Sequence, residues 1–171
     1  MRILIYTTHR TGSTSLANFL MFNYSYDYQR YEYFKKIKDN LPNDIIIKLT
    51  PNEINYDIIK NLFDKRIILI REDIKDQSES RVYSEIFGKK FSSYNIKNTF
   101  FKKYSNEIAE MYKCIECENK LLVSCKDALQ LTYNELYKSN IGIVKLEKYF
   151  NTKFKYGLEY KPYRNMNQTL L

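Results

Sequence analysis

The segment Ile3 to Leu20, ILIYTTHRTGSTSLANFL, constrains the chain more than any other stretch: a short apolar run, a small polar turn, then a helix-forming piece. Ile3, Leu4, Ile5 and Tyr6 suit a buried strand. From Ser13 onward the apolar positions Leu16, Phe19 and Leu20 recur at helical spacing, so one face of a helix is expected to lie on a sheet. Thr7 to Gly12 forms the turn between them, and it holds the parts of an anion site. Gly12 tolerates a φ that other residues resist, which lets successive backbone N–H groups converge at the positive end of the helix. Ser13, Thr14 and Ser15 add hydroxyl donors, and Arg10 adds a planar cation suited to forked contacts with oxyanions. The nucleoside-triphosphate loop needs G-x-x-x-x-G-K-[ST], whereas this turn has one Gly and no Lys, which disfavours a metal-dependent triphosphatase.

Two more apolar runs follow. Asp44 to Leu49 (DIIIKL) is bounded by Pro42 and Pro51, and Arg66 to Ile70 (RIILI) is the next. Between them Ile54, Ile58, Ile59 and Leu62 give Glu53 to Phe63 a helical spacing. Strand, helix, strand in this order, with both strands apolar throughout, predicts a right-handed crossover and a parallel sheet. Ligands of such sheets bind beyond the carboxyl ends of the strands, so the turn after Tyr6 and the residues after Ile70 should meet there. Phe100 to Leu122 reads as one long helix with Tyr104, Ile108, Met111, Tyr112 and Ile115 on its core face, and Leu129 to Tyr133 as a fourth strand. Met21 to Lys38, rich in tyrosine, is read as a loop and a short helix, either simple aromatic packing or a cover over the site. The polar stretch Phe87 to Thr99 is a candidate lid. The fold class expected is α/β, with three layers around a mostly parallel sheet and a P-loop-like strand-turn-helix site, in a single domain over residues 1–171.

Charge and cysteine usage narrow the partners. The net charge of +8 comes from 28 basic and 20 acidic residues that are scattered along the chain, as on a solvated surface; a nucleic acid is not indicated, and an anionic nucleotide is the smaller claim. Cys114 and Cys117 have the spacing of half a zinc site, but no second pair follows and His9 is the one histidine, so buried thiols and no metal are expected. No run of about 18 apolar residues occurs, and a cytoplasmic protein without a membrane span is expected.

Thr7-Thr8-His9-Arg10-Thr11-Gly12-Ser13-Thr14 resembles the 5′-phosphosulfate loop of sulfotransferases, a Thr-x-x-Lys/Arg-Ser/Thr-Gly-Ser/Thr-Thr turn, with His9 where that family usually has Pro. Arg71, Asp73, Gln77 and Ser80 are similar to the Arg-x-Asp…Gln…Ser pattern of the bacterial trehalose-type branch, in which the Arg and the Ser hold the 3′-phosphate of the nucleotide. Arg30-Tyr31-Glu32-Tyr33-Phe34 resembles the stretch of that branch in which a Glu before Tyr-Phe is the general base. Thr132-Tyr133-Asn134-Glu135-Leu136 resembles the family's Thr/Ser-Tyr-Glu-x-Leu, with Asn134 in the Glu place and the family's next helix falling on Ile141 to Phe150. The resemblance implies 3′-phosphoadenylyl sulfate (PAPS) as sulfuryl donor, a small-molecule or glycan acceptor, and no metal. It implies nucleotide contacts from Arg10, Thr11, Gly12, Ser13, Thr14, Ser15, Arg71 and Ser80, with charge stabilisation by Arg10. Glu32 would be the base, its pKa raised by burial among the tyrosines, with His9 in reserve. Lys161 or Arg164 would complete the nucleotide pocket, unless that basic segment is an ordinary tail. The rival readings are a nucleotide-binding protein without transfer and a small nucleotide kinase or hydrolase.

Overall fold

The computed structural model describes residues 1–87 and 97–158; Lys161, Arg164 and all of the candidate lid from Gly88 to Ile96 lie outside the described residues. Five strands form one sheet in which every pairing is parallel: β1 (Arg2–Thr7), β2 (Asp27–Arg30), β3 (Ile45–Leu49), β4 (Lys65–Ile70) and β5 (Leu129–Thr132), in the order β2-β3-β1-β4-β5. The two apolar runs that predict a crossover are therefore both neighbours of β1, which lies between them, with Tyr6 opposite Leu49 on one side and Thr7 opposite Leu69 on the other.

Alternation along these strands builds two cores. Leu4, Tyr6, Ile45, Ile47, Leu49 and Ile68 point to one face, where they meet Phe34, Ile59, Phe63 and Leu122. Ile3, Ile5, Ile46, Ile67, Leu69 and Leu131 point to the other, against Leu16, Phe19, Leu20, Leu136 and Leu146. Burial on both faces is what a parallel sheet requires, and it explains the consecutive apolar residues Ile3 to Tyr6, Ile45 to Ile47 and Ile67 to Leu69 of the three inner strands. The first face is covered by α2 (Tyr31–Ile37), α3 (Tyr56–Ile59) and α6 (Ser105–Ser124), the second by α1 (Ser13–Tyr24), α7 (Tyr133–Tyr137) and α8 (Ile141–Phe150). Three layers result. α4 (Ile74–Phe87) packs along α6.

Four expectations are corrected. β2 lies where a loop was expected: as an edge strand it is only half-buried, so Asp27-Tyr28-Gln29-Arg30 lacks the apolar run that marks the inner strands. The helix expected from Glu53 shrinks to α3, because Glu53 Oε2 instead accepts the Thr50 N–H (2.8 Å) and Asn55 caps the start, its side chain accepting from Asp57 N–H. The long helix breaks at Tyr104 into α5 (Lys97–Lys103) and α6, and α6 buries Ile115, Glu118, Asn119 and Leu122 while Tyr112 stays exposed. The stripe keeps its direction but is buried towards the C-terminal end of α6, where Arg81 of α4 pairs with Glu118 at 3.3 Å, both groups almost out of solvent. Finally, Cys125 is buried as expected, but Cys114 and Cys117 are exposed. Among the described residues no helix is long and apolar enough to cross a membrane.

Candidate functional site

The turn after β1 is braced from three sides. The Thr7 hydroxyl donates to the Leu69 carbonyl (2.6 Å) and so ties the ends of β1 and β4 together. Two residues of the turn take left-handed backbone angles, Arg10 at φ 64° and Gly12 at φ 80°, and for Arg10 that conformation is costly. It is held by its neighbours: Arg71 Nη1 donates to the Arg10 carbonyl (2.9 Å), and Arg10 Nε donates to Ser80 Oγ (3.0 Å). Gln77, fully buried, donates from Nε2 to Thr8 Oγ1 (2.5 Å) and to the His9 carbonyl (2.6 Å). The third brace is Tyr137, whose hydroxyl donates to the Gly12 carbonyl (2.6 Å); Ser15 and Leu16 N–H groups donate to the same oxygen. Burial of its phenol and the neighbouring Tyr133 raise the Tyr137 pKa, so it remains a donor. Gly12 starts α1 without a side-chain cap and no acid sits in the first turn, so the free N–H groups there face the cavity uncompensated.

A cavity of about 580 Å³ opens over this turn, along the carboxyl ends of all five strands. The turn contributes His9, Arg10, Gly12, Ser13, Thr14 and Ser15. Arg30 comes from the end of β2, Lys48 from β3, Arg71 from the residue after β4, and Tyr133 from the residue after β5, while Ser80 and Ser84 project from α4. Among the described residues four cations line this space and no carboxylate does. Arg71 also pairs with Asp76 and lies over the Tyr133 ring, 4.8 Å from its centre, which fixes the plane of the guanidinium. Burial, and after it Arg30, pushes the Lys48 pKa below the ordinary lysine value. His9 is also pushed below the ordinary histidine value, by desolvation first and then by Arg81 and Lys48. The result is a cationic cleft suited to an anion, with His9 at its rim.

Most of the residues singled out in the sequence converge here: His9, Arg10, Gly12, Ser13, Thr14, Ser15, Arg71 and Ser80 all line the cavity. Thr11 does not. It is buried, and its hydroxyl is spent inside the turn, 2.8 Å from Thr7 Oγ1 and 3.2 Å from the Thr8 carbonyl. Glu32 is also placed elsewhere: its side chain is 81% exposed, pairs with Lys35 at 3.0 Å and does not line the cavity. The burial among tyrosines expected of it is absent, because Tyr31 and Phe34 turn inward in α2 while Glu32 faces out. Arg164 lies outside the described residues. Missing from the sequence reading were Arg30, Lys48, Ser84 and Tyr133. For Lys48 a signal existed, a lone cation inside the otherwise apolar IIIKL.

The sequence matches no protein-family model and no curated protein. Solved structures do match. The crystal structure of mouse sulfotransferase SULT7A1 complexed with PAP superposes with a TM-score of 0.59 at 15% identity, over 89% of this chain and 58% of that one. A sulfotransferase from Alicyclobacillus acidocaldarius superposes at 0.53 and 8% identity, over 94% and 85% of the two chains. The fold is the sulfotransferase fold. The chain spans a little over half the length of the mouse protein, so the architecture is shared while whole elements of that protein have no counterpart here.

Proposed function

We propose that this protein is a single-domain sulfotransferase that moves the sulfuryl group of PAPS to an acceptor hydroxyl, with a carbohydrate as the acceptor class. The observation that carries this reading is the direct contact of its two motifs: Arg10 of the turn bonds Ser80, and Arg71 bonds the Arg10 carbonyl, so two anion-binding groups share one cleft. A nucleotide with phosphates at both 5′ and 3′ positions fits that pairing. The fold likeness to a sulfotransferase complexed with PAP (3′-phosphoadenosine 5′-phosphate) supports it. So does the likeness of Arg71, Asp73, Gln77 and Ser80 to the trehalose-type pattern.

In this reading the 5′-phosphosulfate lies on the N–H groups around Gly12, with Ser13, Thr14 and Ser15 beside it, and the 3′-phosphate on Arg71 and Ser80. The acceptor oxygen attacks sulfur in line as the bond from sulfur to the bridging phosphate oxygen breaks, and PAP leaves. Charge developing on the transferring and bridging oxygens is stabilised by Arg10 and Lys48, preorganised in a cleft without acids. The acceptor proton goes to His9, which lines the cavity and is neutral near pH 7. No step requires a metal.

The exposure of Glu32 favours one rival, a protein that binds the nucleotide without transferring from it. The first test is thermal: PAP should raise the melting temperature through binding to the folded state, and ADP much less, because Arg71 and Ser80 would have no 3′-phosphate to hold. Equal stabilisation by the two nucleotides would overturn the reading. PAP binding with no transfer to any saccharide would select the binding-only rival.

A further inference from the structure

The strand order divides the cleft into two halves. Arg71, Ser80 and Tyr133 belong to the β4 and β5 side of the turn, whereas Lys48 and Arg30 belong to β3 and β2 on the opposite side. If the nucleotide lies from the turn towards Arg71, as in the reading above on which this inference rests, the acceptor must approach over β3 and β2. β2 is two strands from β1, about 10 Å at the usual strand spacing. That gap admits one sugar-sized group between the phosphosulfate and Arg30.

The chemistry of this half is one-sided. Arg30 is exposed and makes no ion pair or side-chain hydrogen bond among the described residues, and Lys48, its neighbour, is already a cation in a partly buried place. Of the carboxylates nearby, Glu53 accepts the Thr50 N–H and offsets part of the Lys48 charge, and Glu32 pairs with Lys35; neither bonds Arg30. Two like charges facing one opening repel each other, and an anion placed between them relieves both. A neutral acceptor would leave Arg30 without a task, since the donor's two anionic ends lie on Arg10, Lys48 and Arg71.

We infer that the acceptor is itself anionic, a hydroxyl compound carrying a carboxylate or phosphate that Arg30 at the end of β2 receives while the hydroxyl reaches the turn. Arg30 is then a specificity residue. Its guanidinium contacts the acceptor's acid and takes no part in the displacement.

The test uses the full chain loaded with PAP and two probes that differ only in the carboxylate, methyl β-D-glucuronide and methyl β-D-glucoside, titrated by calorimetry. A third probe, glucose 6-phosphate, separates phosphate from carboxylate recognition. At least one anionic probe should bind about tenfold tighter than the glucoside, the scale of a charge-assisted contact. Arg30→Gln should reduce that preference to about threefold or less, and Arg30→Lys should keep part of it. Equal binding of all three probes to the unaltered protein overturns the inference, as does a preference that survives Arg30→Gln intact. A chain that binds PAP but shows no preference refutes this inference alone, while a chain that does not bind PAP refutes the nucleotide reading and this inference with it.

Discussion

Gly12→Ala tests how the anion turn is held. A Cβ at this position would stand 2.7 Å from Tyr137 Cε2 and 3.1 Å from its hydroxyl oxygen, and the backbone would have to keep φ near 80°. The angle alone costs an alanine about 1–2 kcal/mol. The Tyr137 ring is the far end of a side chain and swings away more cheaply than backbone would, but doing so breaks its 2.6 Å hydrogen bond to the Gly12 carbonyl. That loss adds about 0.5–1.5 kcal/mol, for a total of about 1.5–3.5 kcal/mol. Urea unfolding followed by circular dichroism reads the change in midpoint at constant slope. Repeating the substitution in a Tyr137→Ala background separates the two parts: with the ring gone, Gly12→Ala should cost only the backbone share, and the cycle should show coupling of about 0.5–1.5 kcal/mol. A single variant as stable as the parent, or a cycle with no coupling, would refute the claim that Tyr137 and the left-handed Gly12 form one unit.

Arg71→Ala should weaken PAP binding by about 1.5–3 kcal/mol in calorimetry. It should also lower fold stability by about 1 kcal/mol, since Arg71 bonds the Arg10 carbonyl and stacks on Tyr133. Arg81→Met should destabilise by about 3–5 kcal/mol in urea unfolding, because Glu118 would be left buried without its cation. His9→Gln should cut turnover about 10²-fold with PAP affinity kept, while Glu32→Gln leaves turnover within about twofold; the opposite pattern would return the proton to Glu32. Because the folded pKa of His9 lies below the unfolded 6.5, the rate should hold to pH values below 6.5 before it falls. The same sign means that the unfolded chain takes up this proton first, so the His9 share of stability is present above 6.5 and lost as the pH drops through that window.

The inner strands were legible because Ile45 to Ile47 and Ile67 to Leu69 are buried on both faces, and such segments announce themselves as apolar runs. The turn was legible for a related reason: Gly12 and its hydroxyl neighbours are forced by local backbone geometry, which leaves a local trace. What escaped were features decided across the sheet. β2 exists because β3 offers it an edge, and nothing in Asp27 to Arg30 records that partner. Glu118 is buried on α6 where Arg81 and Asn52 meet it, partners that helical periodicity does not record, so the buried stretch was assigned about two turns too early. Glu32 was read from its neighbours in sequence, whereas its exposure is set by which residues of α2 reach the core. Arg30 and Lys48 join the site through strand order alone.

The placement of β1 also sets the order in which the molecule can acquire its cleft. β1 is the first strand made and the central one in the sheet, yet one neighbour comes from Ile45–Leu49 and the other from Lys65–Ile70. A growing chain that has reached only β3 holds the whole turn from Thr7 to Gly12 and none of the braces that keep it in shape, since Leu69, Arg71, Gln77 and Ser80 are still to come. The turn of a nascent chain thus lacks its braces until α4 has emerged and β4 has docked, and lacks the Tyr137 brace until α7 follows, long-range steps that close slowly compared with the helices. In the proposed reading a nucleotide binds only after that docking, and its binding would hold β1 and β4 together against reopening.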